Sequence, residues 1–397
     1  MLGSLRKREN ANTPILVGLI GAGAMGRGIA LQVARTPGMT LAFIADSQLG
    51  AAEEANRLAG SNAPVTDDAM RALEIETYDI LVESTNSITP AARYAALAID
   101  HSAHVVLMNA EVDLAYGVDL HRLADRRGVV VTSDAGDQHG VLATMMEEIE
   151  LWGFRIVQAG NIKGFLNRYA KATDLIEEAA KRQLAPIQCC AYTDGTKLNV
   201  EMSVIANGKG LLPVQPGMSG PQCDDVKEVL DRFDFNSQGA QGTVDYILGA
   251  EPGGGVYVVG HCDDPIQAEY LRYYKMGEGP YYLFYRPYHL CHLETVRAIG
   301  RAVLYQEPIL QPRHGRLTDV YAYAKCDLKA GIEIDHAIGG DYCYGLIEVA
   351  AEADSVQKVP ITQLEPMDGM ACKLTRAVGK DEPLTLNHVT LPNRASL

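Results

Sequence analysis

The sequence predicts an α/β protein with a doubly wound parallel sheet at the N-terminus, a central α+β domain, and a small, mostly β domain at the C-terminus. Three observations carry this expectation. An apolar run at Ile15–Ile20 passes directly into the glycine-spaced turn GAGAMG at 21–26. Further apolar runs follow at TLAFIAD (40–46), DILVEST (79–85), HVVLMN (104–109) and VVVTS (129–133), with helical stretches between them. Strands that alternate with helices build parallel sheets, because each crossover must return the chain to the same end of the sheet. Toward the C-terminus the pattern changes to short strands punctuated by KAG, GG and VGKDEP turns.

The first strand and turn have the spacing of a dinucleotide-binding motif. Gly21 makes the tight turn, Gly23 lets the backbone approach a pyrophosphate, and Gly26 lets the next helix pack close to its strand. Ala24 and Met25 open that helix, whose free N–H groups and dipole favour an anion. The second strand ends in Asp46, 20 residues after Gly26. A carboxylate there accepts hydrogen bonds from ribose hydroxyls and repels a 2′-phosphate. The following residues, Ser47 to Gly50, include no Arg, so NAD is favoured over NADP. Ser84 and Thr85 after the third run, and Asn109 and Glu111 after the fourth, complete the expected cofactor-binding set. Glu83 and Glu111 face the same crevice, as ribose or metal contacts or as ordinary carboxylates.

The dinucleotide domain is expected over 13–135. A polar turn, DAGDQHG at 134–140, then leads into a helix. Turns at the carboxyl ends of parallel strands are where ligands bind, so Asp137 and Gln138 are candidate substrate contacts, although each alone also suits a helix cap. The central domain, 136–311, begins with a strand FRIVQAG, a Lys- and Asn-bearing turn NIKGF, and a helix around 174–182. The Gly- and Pro-rich segment LPVQPGMSGPQC is a surface connection or a lid, followed by a helix at 224–235. Strand-like GGVYVVGH, aromatic PYYLFYRPYHL and helical HLETVRAIGRAVLYQ come next. The third domain is expected over 312–397.

Composition narrows the function. The 397 residues are 47% hydrophobic and 21% charged, a globular balance with length for two or three domains. A net charge of −15 argues against nucleic acid and anionic membranes as partners. Eight cysteines without a CxxC pair form neither a disulfide framework nor a zinc pattern. No signal-peptide core precedes the first strand and no run is long enough to span a bilayer, so the expected location is the cytoplasm.

Chemistry is expected from TDGTKLNVE at 193–201. Asp194, Lys197 and Glu201 stand at i, i+3 and i+7, on one face if a helix begins near Gly195. A Lys beside a carboxylate can polarise a substrate oxygen or move a proton. The alternative is an N-cap at Asp194 and a solvated Lys197–Glu201 pair. Lys163 and Asn161 form a second cluster suited to an anionic substrate group, or an exposed loop. His289 and His292 have poor zinc spacing, and no hydrolase signature is present.

With these residues in view, the chain resembles the homoserine dehydrogenase-like superfamily, and within it the 1-deoxy-D-xylulose 5-phosphate (DXP) reductoisomerase-like proteins. The blocks that carry the resemblance are GLIGAGAMG, LVEST, HVVLMNAEVD, DAGDQHG, DGTKLNVEMSVIANGKG and LFYRPYHLCHLETVRAIGRAVL. AKCDLKAGIEI and LTRAVGKDEPL are similar to a SAF domain. The resemblance implies a Rossmann domain, a central catalytic and oligomerisation domain, and a β-clip SAF domain. Asp194 and Lys197 match the superfamily's catalytic Asp and Lys with one residue fewer between them. The Lys that follows the fourth-strand Asn in homoserine dehydrogenases is replaced here, after Asn109, by Ala110 and Glu111.

The expectation is an NAD(P)-dependent oxidoreductase acting on a small polyhydroxylated substrate, phosphorylated or acidic, with hydride transfer coupled to isomerisation. Lys197, Asp194, Lys163 and Glu201 are its catalytic candidates; Asp137, Gln138, Asn161 and Asn199 its substrate contacts. Glu201, Glu111 and Asp137 are a candidate set for a divalent cation, a Lewis acid suited to a ketol shift. A homo-oligomer is expected. The alternatives are a simple hydroxy- or amino-acid dehydrogenase and a non-catalytic NAD-binding sensor or scaffold.

Overall fold

The computed structural model describes residues 1–182, 184–236, 241–367 and 369–391. The described residues divide into two compact units, one of 1–140 and 290–312, the other of those within 141–289 and 313–391.

In the first unit a short helix α1 (Leu2–Asn10) precedes β1 (Ile15–Ile20), α2 (Ala24–Arg35), β2 (Met39–Ala45), α3 (Leu49–Ala59), β3 (Val65–Thr66), α4 (Ala69–Ile75), β4 (Ile80–Glu83), α5 (Thr89–Asp100), β5 (His104–Leu107), α6 (Ala110–Arg127) and β6 (Val131–Ser133). The six strands are all parallel, in the order β3-β2-β1-β4-β5-β6, the doubly wound arrangement in which ligands bind where the strand order reverses. Every residue of β4 and β5 is buried, as expected of parallel strands covered on both faces. The turn signals act as written: Gly60 and Gly128 end α3 and α6 in the left-handed conformation. The predicted five runs are present. The sixth strand, β3, has two residues, too few to leave a periodic signal.

The helix α7 (Gln138–Leu151) begins inside the DAGDQHG turn, and β7 (Arg155–Lys163) opens the second unit's sheet. Here the expected NIKGF turn is corrected: Asn161, Ile162 and Lys163 continue the strand, paired with Tyr246, Ile247 and Leu248. After α8 (Ile176–Arg182), α9 (Pro186–Thr193), α10 (Thr196–Lys209), β8 (Leu212–Pro213) and α11 (Val229–Arg232) come β9 (Thr243–Leu248), β10 (Val256–His261), α12 (Pro265–Tyr273) and β11 (Tyr281–Arg286). The mixed sheet runs β11-β10-β7-β9-β8, and one core of this unit gathers Val157, Ile162, Val226, Val229, Ile247, Tyr257 and Val259. The segment expected as a connection or a lid is pinned: Ser219 and Gly220 N–H groups donate to the Asp245 carboxylate, Gly217 N–H donates to the Ile347 carbonyl, and Met218 is buried.

The helix α13 (Cys291–Tyr305) belongs to the first unit, where a Cβ added at Gly28 of α2 would lie 2.5 Å from the His292 ring. The remaining elements, β12 (Thr318–Ala324), β13 (Glu333–Ile334), β14 (Cys343–Val349), α14 (Ala350–Ser355), β15 (Cys372–Leu374) and β16 (Val389–Thr390), are mostly short strands. They form one compact unit with 141–289, because α10 is hydrogen-bonded directly to β12 and β14. The Gly345 N–H donates to Thr196 Oγ1, and the Thr318 N–H donates to Asn207 Oδ1 at 2.8 Å.

Candidate functional site

Each glycine of the first turn is required for a different reason. Gly21 has φ +94°, and a Cβ there would meet the Ser84–Thr85 backbone at 2.6–2.7 Å. A Cβ on Gly26 would lie 1.9 Å from the Gly21 carbonyl oxygen, so only glycine lets α2 start this close to the turn. Gly23, the exposed N-cap of α2, is the contrast, since nothing lies within 4 Å of a Cβ built on it. No side chain caps α2, whose first N–H groups, at Ala24 and Met25 among others, have no intrahelical acceptor. An open cradle at an uncapped helix N-terminus fits the pyrophosphate of a dinucleotide.

The neighbouring strand ends hold this cradle in place. Asp46, half-buried at the end of β2, accepts the Ala22 N–H at 2.7 Å and the Gln48 N–H at 2.8 Å. Its carboxylate thus ties the turn to the second strand. The Ser84 hydroxyl donates to the Gly21 carbonyl at 2.7 Å. Asn109 caps α6 by accepting the Glu111 N–H, and its amide donates to the carbonyls of Thr85 and Ser87, each at 3.0 Å. Thr85 donates its N–H to Glu83 Oε1 at 2.8 Å. Ser84, Thr85 and Asn109, named as cofactor contacts, therefore brace the loops of the cradle, and Glu111 stands in the first turn of α6. Glu83 is fully buried, and burial pushes its carboxyl up to about 8, with its other oxygen lacking a hydrogen-bond partner among the described residues. At the end of β6, Asp134 accepts the N–H groups of Gly136 and Asp137, and burial pushes it up to about 7. Asp137 and Gln138 are buried, Asp137 Oδ1 accepting the Gln138 N–H at 3.0 Å.

In the second unit the expected Asp194–Lys197 partnership is corrected. Asp194 lies outside α10, as the C-cap of α9, separated from the helix by Gly195 at φ +84°. Its Oδ2 pairs with Lys325 Nζ at 2.8 Å with both side chains fully buried, while its Oδ1 accepts the Thr196 N–H at 2.8 Å. Burial pushes Asp194 up and the Lys325 ammonium opposes that shift. Lys325 also donates to the carbonyls of Ala170 and Gly340, each at 2.6 Å. Sequence reasoning missed Lys325; its one signal is a lysine directly after the apolar β12 run. Asn199 is likewise corrected as a substrate contact. Its amide nitrogen donates to the Gly195 carbonyl and its oxygen accepts the Ile347 N–H at 2.9 Å, which uses the side chain to join α10 to β14.

Lys197 and Glu201 remain one helical turn apart on α10, whose residues from Thr196 to Gly208 are all buried. A solvated surface pair is thereby excluded. Asn161 is fully buried in β7 and Lys163 is its half-buried last residue. Of the carboxylates considered for a cation, Glu111 and Asp137 belong to the first unit and Glu201 to the second.

Residues 21–133 match the family model for the homoserine dehydrogenase NAD-binding domain. Residues 136–295 match the model for the catalytic domain of oxidoreductase DRL. No curated protein matches the chain. Among solved structures, a homoserine dehydrogenase from Thiobacillus denitrificans is 15% identical, covers 94% of this chain and 98% of its own, and has a TM-score of 0.47. A probable dehydrogenase from Thermotoga maritima is 12% identical over 76% of this chain and 92% of its own, with a TM-score of 0.48. GenD2 from gentamicin A biosynthesis, solved in complex with NAD, is 14% identical over 76% and 90%, with a TM-score of 0.41. The chain thus matches a model for an NAD-binding domain and, directly after it, a model for an oxidoreductase catalytic domain.

Proposed function

We propose that this NAD(P)-dependent oxidoreductase of the dehydrogenase type acts on a small polyhydroxylated, phosphorylated or acidic substrate, and couples hydride transfer to an isomerisation of the carbon skeleton. The observation that carries the reading is the burial of Lys197 and Glu201 one turn apart on α10, inside the segment that matches an oxidoreductase catalytic domain. Burying an ammonium and a carboxylate in a helix is costly, and structural joints elsewhere on α10 are already made by Thr196, Asn199 and Asn207.

The bound dinucleotide supplies or accepts the hydride. Lys197 is assigned the proton: its ammonium polarises the substrate carbonyl and donates to the oxygen as the carbon gains hydride. In the opposite direction it takes the hydroxyl proton. Asp194 acts as a positioning residue, holding the first turn of α10 through the Thr196 N–H while Lys325 neutralises it. The rearrangement is redox-neutral. The hydroxyl of the carbinol carbon loses its proton and becomes the new carbonyl as a carbon–carbon bond migrates from that carbon to the adjacent carbonyl carbon; the old carbonyl oxygen takes up a proton to become a hydroxyl, and the new carbonyl is then reduced by hydride and a proton. Asp46 supports NAD as the preferred cofactor, since an acidic side chain at the end of the second strand disfavours a 2′-phosphate.

The test incubates the protein and NADH with ketoses, sugar acids and their phosphates, following NADH absorbance and product structure by carbon NMR. A reduced product with a rearranged skeleton is expected. An unchanged skeleton supports the simple dehydrogenase reading, which the homoserine dehydrogenase match over 21–133 favours. Binding of NADH without turnover across the panel supports the sensor or scaffold reading.

A further inference from the structure

The helix α12 contradicts the usual logic of an amphipathic helix. Opposite its half-buried Ala268 and Leu271, α12 carries Ile266, Tyr270 and Tyr273 at i, i+4 and i+7, the spacing that normally marks a buried face. Yet α12 buries no residue at all: Ile266 is 66% exposed, Tyr270 60%, Tyr273 78%, and Tyr274 at its C-cap 67%. A second exposed pair, Leu151 (79%) and Trp152 (53%), belongs to a segment joined to α12 by a bond from Gln267 Nε2 to the Trp152 carbonyl. Aromatic residues that expose this much surface together are what protein interfaces are enriched in.

We infer that this face docks a second copy of the same chain, with α12 packed antiparallel against its own counterpart across a two-fold axis. Area is the first argument. Together the six exposed side chains offer on the order of 700 Å² of largely apolar surface, close to the roughly 800 Å² per partner of a stable interface. Charge is the second. Asp263 stands at the N-terminal end of α12 beside the capping Asp264, and Lys275 stands at its C-terminal end, where Arg272 is paired with Glu278 at 2.9 Å. An isologous contact brings each end of the helix against the opposite end of the other copy, so the acidic end of one meets the basic end of the other at both rims. Tyr270 then lies near the axis, where a side chain meets its own counterpart. This inference is independent of the catalytic reading.

Sedimentation equilibrium of the full chain tests it. The wild type is expected as a dimer or a multiple of one at micromolar concentration, and Tyr270→Glu with Tyr273→Glu is expected to raise the dissociation constant by ~10²-fold or more. Since both side chains face solvent, circular dichroism should stay near wild type, while the thermal midpoint loses only the concentration-dependent part that association contributes; the milder Tyr270→Ser provides the same reading if the double variant unfolds. Charge reversal tests the antiparallel geometry: Asp263→Lys and Lys275→Asp each weaken association, and the two combined in one chain restore it. A monomeric wild type, an assembly indifferent to the tyrosine substitutions, or two reversals that fail to rescue each other would overturn the inference.

Discussion

The buried Asp194–Lys325 pair gives the most direct quantitative test of the second unit. Replacing Lys325 by Met keeps the length and bulk of the side chain and removes the ammonium. That leaves Asp194 Oδ2 and the carbonyls of Ala170 and Gly340 without the donor that serves all three at 2.6–2.8 Å. Both side chains of the pair have no exposure, so water cannot substitute. Breaking a buried pair from one side costs about 3–5 kcal/mol, and with a urea dependence of about 2 kcal/mol per molar the midpoint should fall by roughly 2 M. The assay is simple because the chain has one tryptophan, Trp152, in the same unit, and its fluorescence reports the unfolding of that unit. Combining Lys325→Met with Asp194→Asn should cost clearly less than the two separate losses added together, since the double variant strands no charge. If Lys325→Met alone cost under about 1 kcal/mol, the range of an exposed pair, the pair would not be holding the start of α10 as described.

Gly23→Val should weaken NADH binding at least ~10²-fold in calorimetric titration, as the branched side chain fills the cradle. Its thermal midpoint should move little, because nothing lies within 4 Å of the new Cβ. Gly26→Ala should do the opposite, lowering the midpoint through the 1.9 Å approach to the Gly21 carbonyl. Lys197→Ala should lower turnover ~10²-fold or more with NADH affinity near wild type; unchanged turnover in steady-state kinetics would move the proton transfer to Lys163. Glu83 predicts a pH signature. Its folded value, about 8, lies above the ordinary 4.5, so the folded state holds a proton that the unfolded state has lost, and stability falls as pH rises between those values. Relative to wild type, Glu83→Gln should therefore gain stability across that window and level off above it, and a difference flat in pH would refute the buried neutral acid.

The dinucleotide cradle was legible in the sequence because its requirements are local. A six-residue turn needs glycine at three places, and Asp46 follows at the fixed distance set by one helix and one strand. The same locality made the five longer parallel strands readable from their apolar runs and left the two-residue β3 invisible. The second unit was read less well. Asp194 and Lys197 are neighbours in sequence, but Gly195 turns the chain between them, and the carboxylate finds its cation on a distant strand end that no spacing rule connects to it. Asn199 looked like a binding residue, since a polar side chain on a buried helix has no visible partner until β14 is placed beside it.

What the sequence determined by itself, then, is what neighbouring residues decide among themselves: turn geometry, strand and helix periods, caps, and the cofactor-binding motif. Tertiary structure alone decided the partners of buried charges, because desolvation is paid only once a side chain is enclosed and the compensating group comes from whatever element encloses it. It also decided which way α12 faces. The i, i+4, i+7 pattern of Ile266, Tyr270 and Tyr273 is an instruction to bury a stripe, and periodicity cannot say against what. In the folded chain that stripe points to solvent, so its burial is left to another surface.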